Sequence, residues 1–364
     1  MKNACLLLYD GINFDSGGLA FLQELARTGY AVEETRVLST KSPDTFKAAL
    51  IDFKNGYDNL FLVCQPTEIP FLKSSIEEVF SREYFQGEGQ GMGIYSEEEK
   101  SWFLLVSSVE GQRFLKGVCL PFLDRKYASA FAKCTLRLVG ADGGKVEALI
   151  RWAEQFSEGK LRVLRTHRNG EDCIELLYDQ TAPKMLIDEV MRRFVETLGE
   201  SLYALDDTPL EEQLVNLLKL RGKKIAVAES FTGGGVGRRI VSVSGASKVF
   251  VEGLNTYSEV SKMKRLGVSE YTLRSYGAVS KETAYEMAVG LLRAGDAQIS
   301  IATTGLAGPE SDGSGLPVGV CCIAVGVEDK VFVSRYKLDG DRTEITETAI
   351  NYALFLACKQ LKNL

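Results

Sequence analysis

The sequence predicts an α/β protein in three parts: a doubly wound parallel-sheet domain, a small α+β middle domain and a C-terminal α/β domain. Two observations carry most of this. Short apolar runs such as "ACLLLYD", "NLFLVC" and "KIAVA" alternate with longer stretches of helical periodicity, the pattern of strands linked by crossover helices. At 364 residues the chain is also too long for one ordinary core.

Residues 1–131 open with "ACLLLYDG", a glycine turn, and a helix marked by Leu19, Leu22 and Leu25, with Gly29 where a C-cap belongs. A second helix, an Asn55-Gly56 break and the strand "NLFLVC" repeat the order. Residues 132–204 read strand, helix, strand, a turn at Asn169-Gly170, strand, helix, strand. Residues 205–364 start on a helix that Thr208 is expected to cap, with Pro209 in its first turn and Glu211 three residues on. The strand "KIAVA" and two glycine-rich turns follow.

Composition narrows the function. A net charge of −6 and a pI near 5.3 leave no electrostatic footprint for nucleic acid. Eight cysteines without a C-x-x-C pair, and the single histidine His167, give a zinc site almost no ligands; buried free thiols in a reducing compartment are expected. The five-residue apolar run that starts at Ala4 reads as a buried strand rather than a signal peptide, and no run reaches membrane-span length. A cytoplasmic protein is expected.

"IAVAESFTGGGVG" sets Ser230, Thr232, Gly233 and Gly234 at a strand-to-helix turn, where glycines permit close backbone approach and a helix N-terminus can meet an anion. A tight turn that merely needs glycine is an equal reading. "ISIATTGLAGPESDGSGLPVG" repeats the arrangement with Thr304 and Gly305; two such turns in one α/β domain suggest a shared crevice. Between them, "SGASKVFVEGLNTYSEVSKMKRLGV" holds Ser247, Tyr257 and Lys262. With no histidine nearby, an activated serine must use lysine, tyrosine or a carboxylate, and burial can lower a lysine's pKa far enough for it to act as base. Solvated loop serines and a charged helix face are the plain alternative. Arg342, in "LDGDR" before a long helix, can fork onto a phosphate or carboxylate or simply pair with Asp341.

"AESFTGG", "GASKVFVEGLNTYSEVSKMKRLGV", "YGAVSKETAYEMA", "TTGLAGPESDGSGLPVG" and "LDGDR" occur in the order and spacing of the C-terminal domain of CinA (competence/damage-inducible) proteins, which residues 205–364 resemble. The resemblance implies an amidohydrolase that converts nicotinamide mononucleotide to nicotinic acid mononucleotide and ammonia with a serine, a lysine base and a tyrosine. Carried over by motif, these fall on Ser247, Lys262 and Tyr257, with Ser230, Thr232, Gly233, Gly234, Thr304, Gly305 and Arg342 holding ribose and phosphate. It implies no cofactor and no metal, a small pyridine mononucleotide as partner, no nucleic acid or membrane, and a homodimer or higher homo-oligomer. Phe231 stands where the family usually has cysteine and is expected to reshape the pocket or stack on a pyridine ring. Glu259 stands where asparagine is usual, placing a charge near the base.

Residues 1–131 resemble the family's molybdopterin-binding-like N-terminal domain, which in some members hydrolyses ADP-ribose with a divalent metal. Here "VCQPTEIP" replaces its glycine-rich segment and paired aspartates, so a degenerate, structural or oligomer-forming domain is expected. Residues 132–204 resemble the family's KH-like domain, without a basic G-x-x-G clamp for RNA; "GADGGK" reads as a helix start. The alternatives to an amidase are a non-catalytic nucleotide-binding or scaffold protein, and a residual metal-dependent ADP-ribose pyrophosphatase.

Overall fold

Aliphatic and β-branched runs bounded by glycine, asparagine and proline become the strands of three sheets. A computed structural model describes residues 2–9, 17–39, 41–79, 91–97, 99–127, 131–179, 182–310, 313 and 315–362. The turn expected after the first strand (residues 10–16), and Ser311, Asp312 and Ser314 in the loop before Pro317, lie outside them. The chain divides into two compact units: Met1–Lys133 with Lys160–Arg162 and Leu177–Ala182, and Cys134–Gly159 with Val163–Leu176 and Pro183–Leu364. Among the described residues, no helix is long and apolar enough to cross a membrane.

The first unit runs β1 (Asn3–Tyr9), α1 (Gly17–Arg27), β2 (Glu34–Ser39), α2 (Pro43–Gly56), β3 (Asn59–Cys64), α3 (Ile69–Val79), β4 (Gly93–Glu97), β5 (Lys100–Val106), α4 (Val109–Phe114) and α5 (Leu120–Tyr127), the last two joined by a π turn, Leu115–Cys119. Its sheet has the order β2-β1-β3-β5-β4. The first four strands are parallel, but β4 runs antiparallel to β5, so the expected all-parallel sheet carries a reversed edge. The connection explains it: β4 ends at Glu97 and β5 begins at Lys100, too short a link for a crossover. The "VCQPTEIP" segment forms a helix start, in which Glu68 Oε2 accepts the Gln65 N–H at 2.8 Å.

Then come β6 (Phe131–Val139), α6 (Gly143–Phe156), β7 (Leu161–Arg168), β8 (Glu171–Asp179), α7 (Lys184–Leu198) and β9 (Leu202–Ala204), forming a sheet of order β7-β8-β6-β9. Asn169 and Gly170 turn the β7–β8 hairpin at φ 51° and 72°, the mirror-image turn that Asn-Gly favours. "GADGGK" is a helix start: Asp142 Oδ1 accepts the Lys145 N–H at 2.8 Å.

The remainder of the second unit is α8 (Leu210–Arg221), β10 (Ile225–Glu229), α9 (Gly235–Val241), β11 (Phe250–Asn255), α10 (Glu259–Leu266), α11 (Glu270–Tyr276), α12 (Lys281–Arg293), β12 (Ile299–Gly305), β13 (Val320–Val327), β14 (Lys330–Lys337) and α13 (Arg342–Lys362). Thr208 does not cap α8: the helix begins at Leu210, and the Thr208 N–H is drawn back to the Asp206 carboxylate at 2.9 Å. The sheet order is β11-β10-β12-β13-β14, with β10 parallel to both neighbours and the last two strands antiparallel.

Alternation of side chains across these strands builds two different faces. Ile225, Val227, Ile299, Ile301, Ile323 and Val325 form one core with Leu214, Leu218, Ile240 and Leu354 from α8, α9 and α13. Ala226, Ala228, Ala302 and Ala324 face the other way, against Ala284, Met287, Ala288 and Leu291 of α12. The small residues let α12 sit close to the sheet, and α12 in turn approaches α10 so tightly that a Cβ on Gly290 would fall 2.1 Å from the Leu266 carbonyl oxygen. That approach fixes the helix carrying Lys262.

Candidate active site

Strand β10, flanked by β11 and β12, is wholly buried, and its ladder continues one residue past its end. The Ser230 N–H donates to the Thr303 carbonyl at 3.0 Å, and the Thr256 N–H to the Glu229 carbonyl at 2.8 Å. Parallel pairing therefore sets Ser230 beside the carboxyl ends of β11 and β12. After β11 the chain turns into α10, capped by Ser258, whose Oγ accepts the Ser261 N–H at 3.2 Å. Lys262 and Leu266, one turn apart, form the buried stripe of this short helix.

Lys262 is only 1 % exposed. Its Nζ lies 3.0 Å from Ser230 Oγ, 2.8 Å from the Thr256 carbonyl and 3.2 Å from the Tyr257 carbonyl. Burial lowers its pKa to about 8, because the charged form loses its water; the Glu259 charge pulls weakly the other way. The partner set suits both protonation states. An ammonium donates to all three oxygens, while a neutral amine spends its two protons on the two carbonyls and turns its lone pair to the Ser230 hydroxyl. A buried Ser–Lys pair poised near neutrality can deliver a serine alkoxide to an electrophile.

Ser247 is not part of this pair. It lies in the exposed turn Ala246–Lys248, before β11, whereas Lys262 follows β11. The six residues of Phe250–Asn255 separate the two ends by roughly 17 Å of strand. Tyr257 reaches Lys262 through its carbonyl; its side chain is 68 % exposed and makes no hydrogen bond to Ser230 or Lys262.

The expected ribose and phosphate holders are mostly occupied. Gly233 and Gly234 adopt the positive φ values, 58° and 94°, that favour glycine. Yet the turn offers no open anion site. The buried Glu229 carboxylate accepts the N–H groups of Gly234, Val236 and Gly237 at 3.1, 3.0 and 2.8 Å, supplying the negative charge that the start of α9 attracts. The Gly233 N–H is taken by the Ser230 carbonyl. Thr232 and Thr303 bond each other through their hydroxyls at 2.7 Å, and Thr304 Oγ1 donates to the Ala278 carbonyl at 2.6 Å. Gly305 is a packing glycine: a Cβ there would meet Cys321 Cβ at 2.6 Å and Phe231 Cε1 at 2.9 Å. Arg342 neither faces the pair nor bonds Asp341; it donates to the Gly308 carbonyl, while Asp341 caps α13 by accepting the Glu344 N–H at 2.9 Å. Phe231 is 7 % exposed and packs with Ala307, Cys321, Leu338, Ile345 and Ala349, so it is a core side chain with no face open to a pyridine ring. Two groups remain unclaimed. Among the described residues the backbone N–H groups of Phe231 and Thr232, directly after Ser230, have no acceptor.

The described residues contain no group of three or more His, Cys, Asp or Glu side chains placed to hold a metal. The buried Cys5 thiol is free, and burial pushes it up to about 12. His167 is remote in sequence and pairs with Asp172 at 3.0 Å on the β7–β8 hairpin.

The domain that holds this site has known relatives. The CinA C-terminal domain model matches residues 207–361. A putative competence-damage inducible protein of Caldicellulosiruptor saccharolyticus is 36% identical over 249 residues, covering 60% of this chain and 61% of that protein. A CinA-like protein of Kosmotoga olearia is 43% identical over 169 residues, 46% of this chain and 41% of that one. The chain thus spans at most about three fifths of these relatives. A crystal structure of a competence-damaged protein (CinA) superfamily protein from Enterobacter cloacae is 32% identical, covers 44% of this chain and 97% of that one, and has a TM-score of 0.41. Residues 207–361 thus form a CinA C-terminal domain.

Proposed function

We propose that the C-terminal domain hydrolyses the carboxamide of nicotinamide mononucleotide, giving nicotinic acid mononucleotide and ammonia, with Ser230 as nucleophile and Lys262 as base. The observation that carries the reading is the buried contact of 3.0 Å between Lys262 Nζ and Ser230 Oγ, at a lysine whose pKa is lowered to about 8. Family membership supports the substrate class, since CinA relatives include such amidases.

Neutral Lys262 takes the Ser230 proton as Oγ attacks the carboxamide carbon. The developing oxyanion is held by the Phe231 and Thr232 N–H groups, a contribution worth about 3 kcal/mol per donor in comparable sites. The resulting Lys262 ammonium protonates the departing nitrogen and ammonia leaves. Water, deprotonated by the same amine, then opens the Ser230 ester, and the proton returns to Oγ.

The test is ammonia release from nicotinamide mononucleotide by the full chain, with Ser230→Ala and Lys262→Met as controls. Loss of release in both variants is expected. A wild-type chain that binds the nucleotide without releasing ammonia identifies a non-catalytic binding protein instead.

A further inference from the structure

The phosphate ligands expected from the sequence are engaged elsewhere: Glu229 fills the start of α9, Thr232 and Thr304 are bonded internally, and Arg342 holds a loop carbonyl. A mononucleotide phosphate must therefore be met by other groups. A cleft of about 990 Å³ opens at the same edge of the sheet, and its lining includes Glu259, Gly277, Ser280, Lys281, Leu316 and Arg335. Glu259 lies one turn before Lys262 on α10, so the cleft borders the helix of the catalytic pair.

Two cations enter the cleft from different elements: Lys281 from the first turn of α12 and Arg335 from β14. Both are exposed, and among the described residues neither has an acidic partner within salt-bridge distance. Glu259 and Glu282 also line the cleft without pairing to them. Sheet register fixes where Arg335 stands: it lies opposite Cys322, which lies opposite Thr304, next to the Thr303 that bonds Ser230. Three interstrand steps separate β10 from β14, about 14 Å between backbones, a span that an inward-reaching arginine shortens to the length of a mononucleotide.

We infer that this cleft is the phosphate subsite of the enzyme, with Lys281 and Arg335 binding the 5′-phosphate while the carboxamide points to Ser230. The inference rests on the amidase reading for the identity of its ligand. Arginine and lysine here are complementary, a planar fork and a point charge converging on one phosphate.

The experiment measures binding alone, in the full-length Ser230→Ala chain, by calorimetric titration with nicotinamide mononucleotide and with nicotinamide riboside, which lacks the phosphate. The mononucleotide should bind more tightly, and that preference should fall about tenfold with each of Arg335→Gln and Lys281→Gln, as expected on losing one charge-assisted hydrogen bond. Arg335→Lys should keep most of it. Equal affinity for the two ligands, or a preference unmoved by either substitution, overturns the assignment. Unchanged melting temperatures separate these results from misfolding. Failure of the amidase reading looks different: the wild-type chain would show the phosphate-dependent preference and release no ammonia.

Discussion

The sharpest consequence of a buried base is the shape of the pH–rate profile. Lys262 is lowered from the ordinary 10.5 to about 8, so at any pH well below 8 its neutral fraction is about 300 times that of an exposed lysine. About a tenth of the molecules carry the neutral amine at pH 7 and about nine tenths at pH 9. The perturbation is pH itself: kcat/KM for ammonia release, measured from pH 6 to 10, should rise about tenfold between 7 and 9 and level above that. The same shift has a stability signature. The folded chain releases this proton near pH 8 and the unfolded chain near 10.5, so between those values the unfolded state binds more protons and folding stability rises with pH. Below pH 8 the folded state carries the whole penalty, about 3 kcal/mol. Urea unfolding of wild type and Lys262→Met at pH 7 and at pH 10.5 isolates it: the difference between the two proteins should move by about 3 kcal/mol in favour of wild type at the higher pH. A rate that is flat from pH 6 to 10, or that rises only above 10, refutes the buried-amine argument.

Four further outcomes follow from the same geometry. Ser230→Ala should cut the ammonia-release rate by about a thousandfold or more, whereas Ser247→Ala, at the opposite edge of the sheet, should stay within about twofold; the reverse ranking in a steady-state assay would restore the motif-based assignment. Glu259→Gln removes the charge that raises the Lys262 pKa, and because Glu259 is exposed the acid limb of the profile should move down by only a few tenths of a pH unit. Glu229→Ala strips three backbone N–H groups of their acceptor and should destabilise the chain by about 2–4 kcal/mol in urea titration. Gly305→Ala forces a methyl against Cys321 and Phe231 and should cost about 1–3 kcal/mol, seen as a lowered Tm.

Much of the site is legible in the residues themselves. Lys262 stands out as a base because the chain lacks a usable histidine, and it sits four residues before Leu266, on the buried stripe of its helix. Gly233 and Gly234 of "TGGG" do take left-handed conformations. Two things stay hidden at that level. Motif proximity favours Ser247, but a strand has direction, and parallel pairing brings the ends of β10 and β11 together while sending the start of β11 to the far edge. The glycine turn suggests free N–H groups, but whether a helix start is open depends on which carboxylate folds onto it, and Glu229 does so from the residue beside Ser230.

Local chemistry along the chain thus determines the order of strands and helices, the two alternating faces of the C-terminal sheet, and a lysine that burial can make neutral. Those properties need only neighbours a few residues away. Which serine meets that amine, which donors stay unclaimed, and which cations line the adjoining cleft are settled by strand register and by α12 closing on α10. The Lys262–Ser230 contact joins residues 32 positions apart, and hydrogen-bond chemistry at about 3 Å is decided only once those segments are packed.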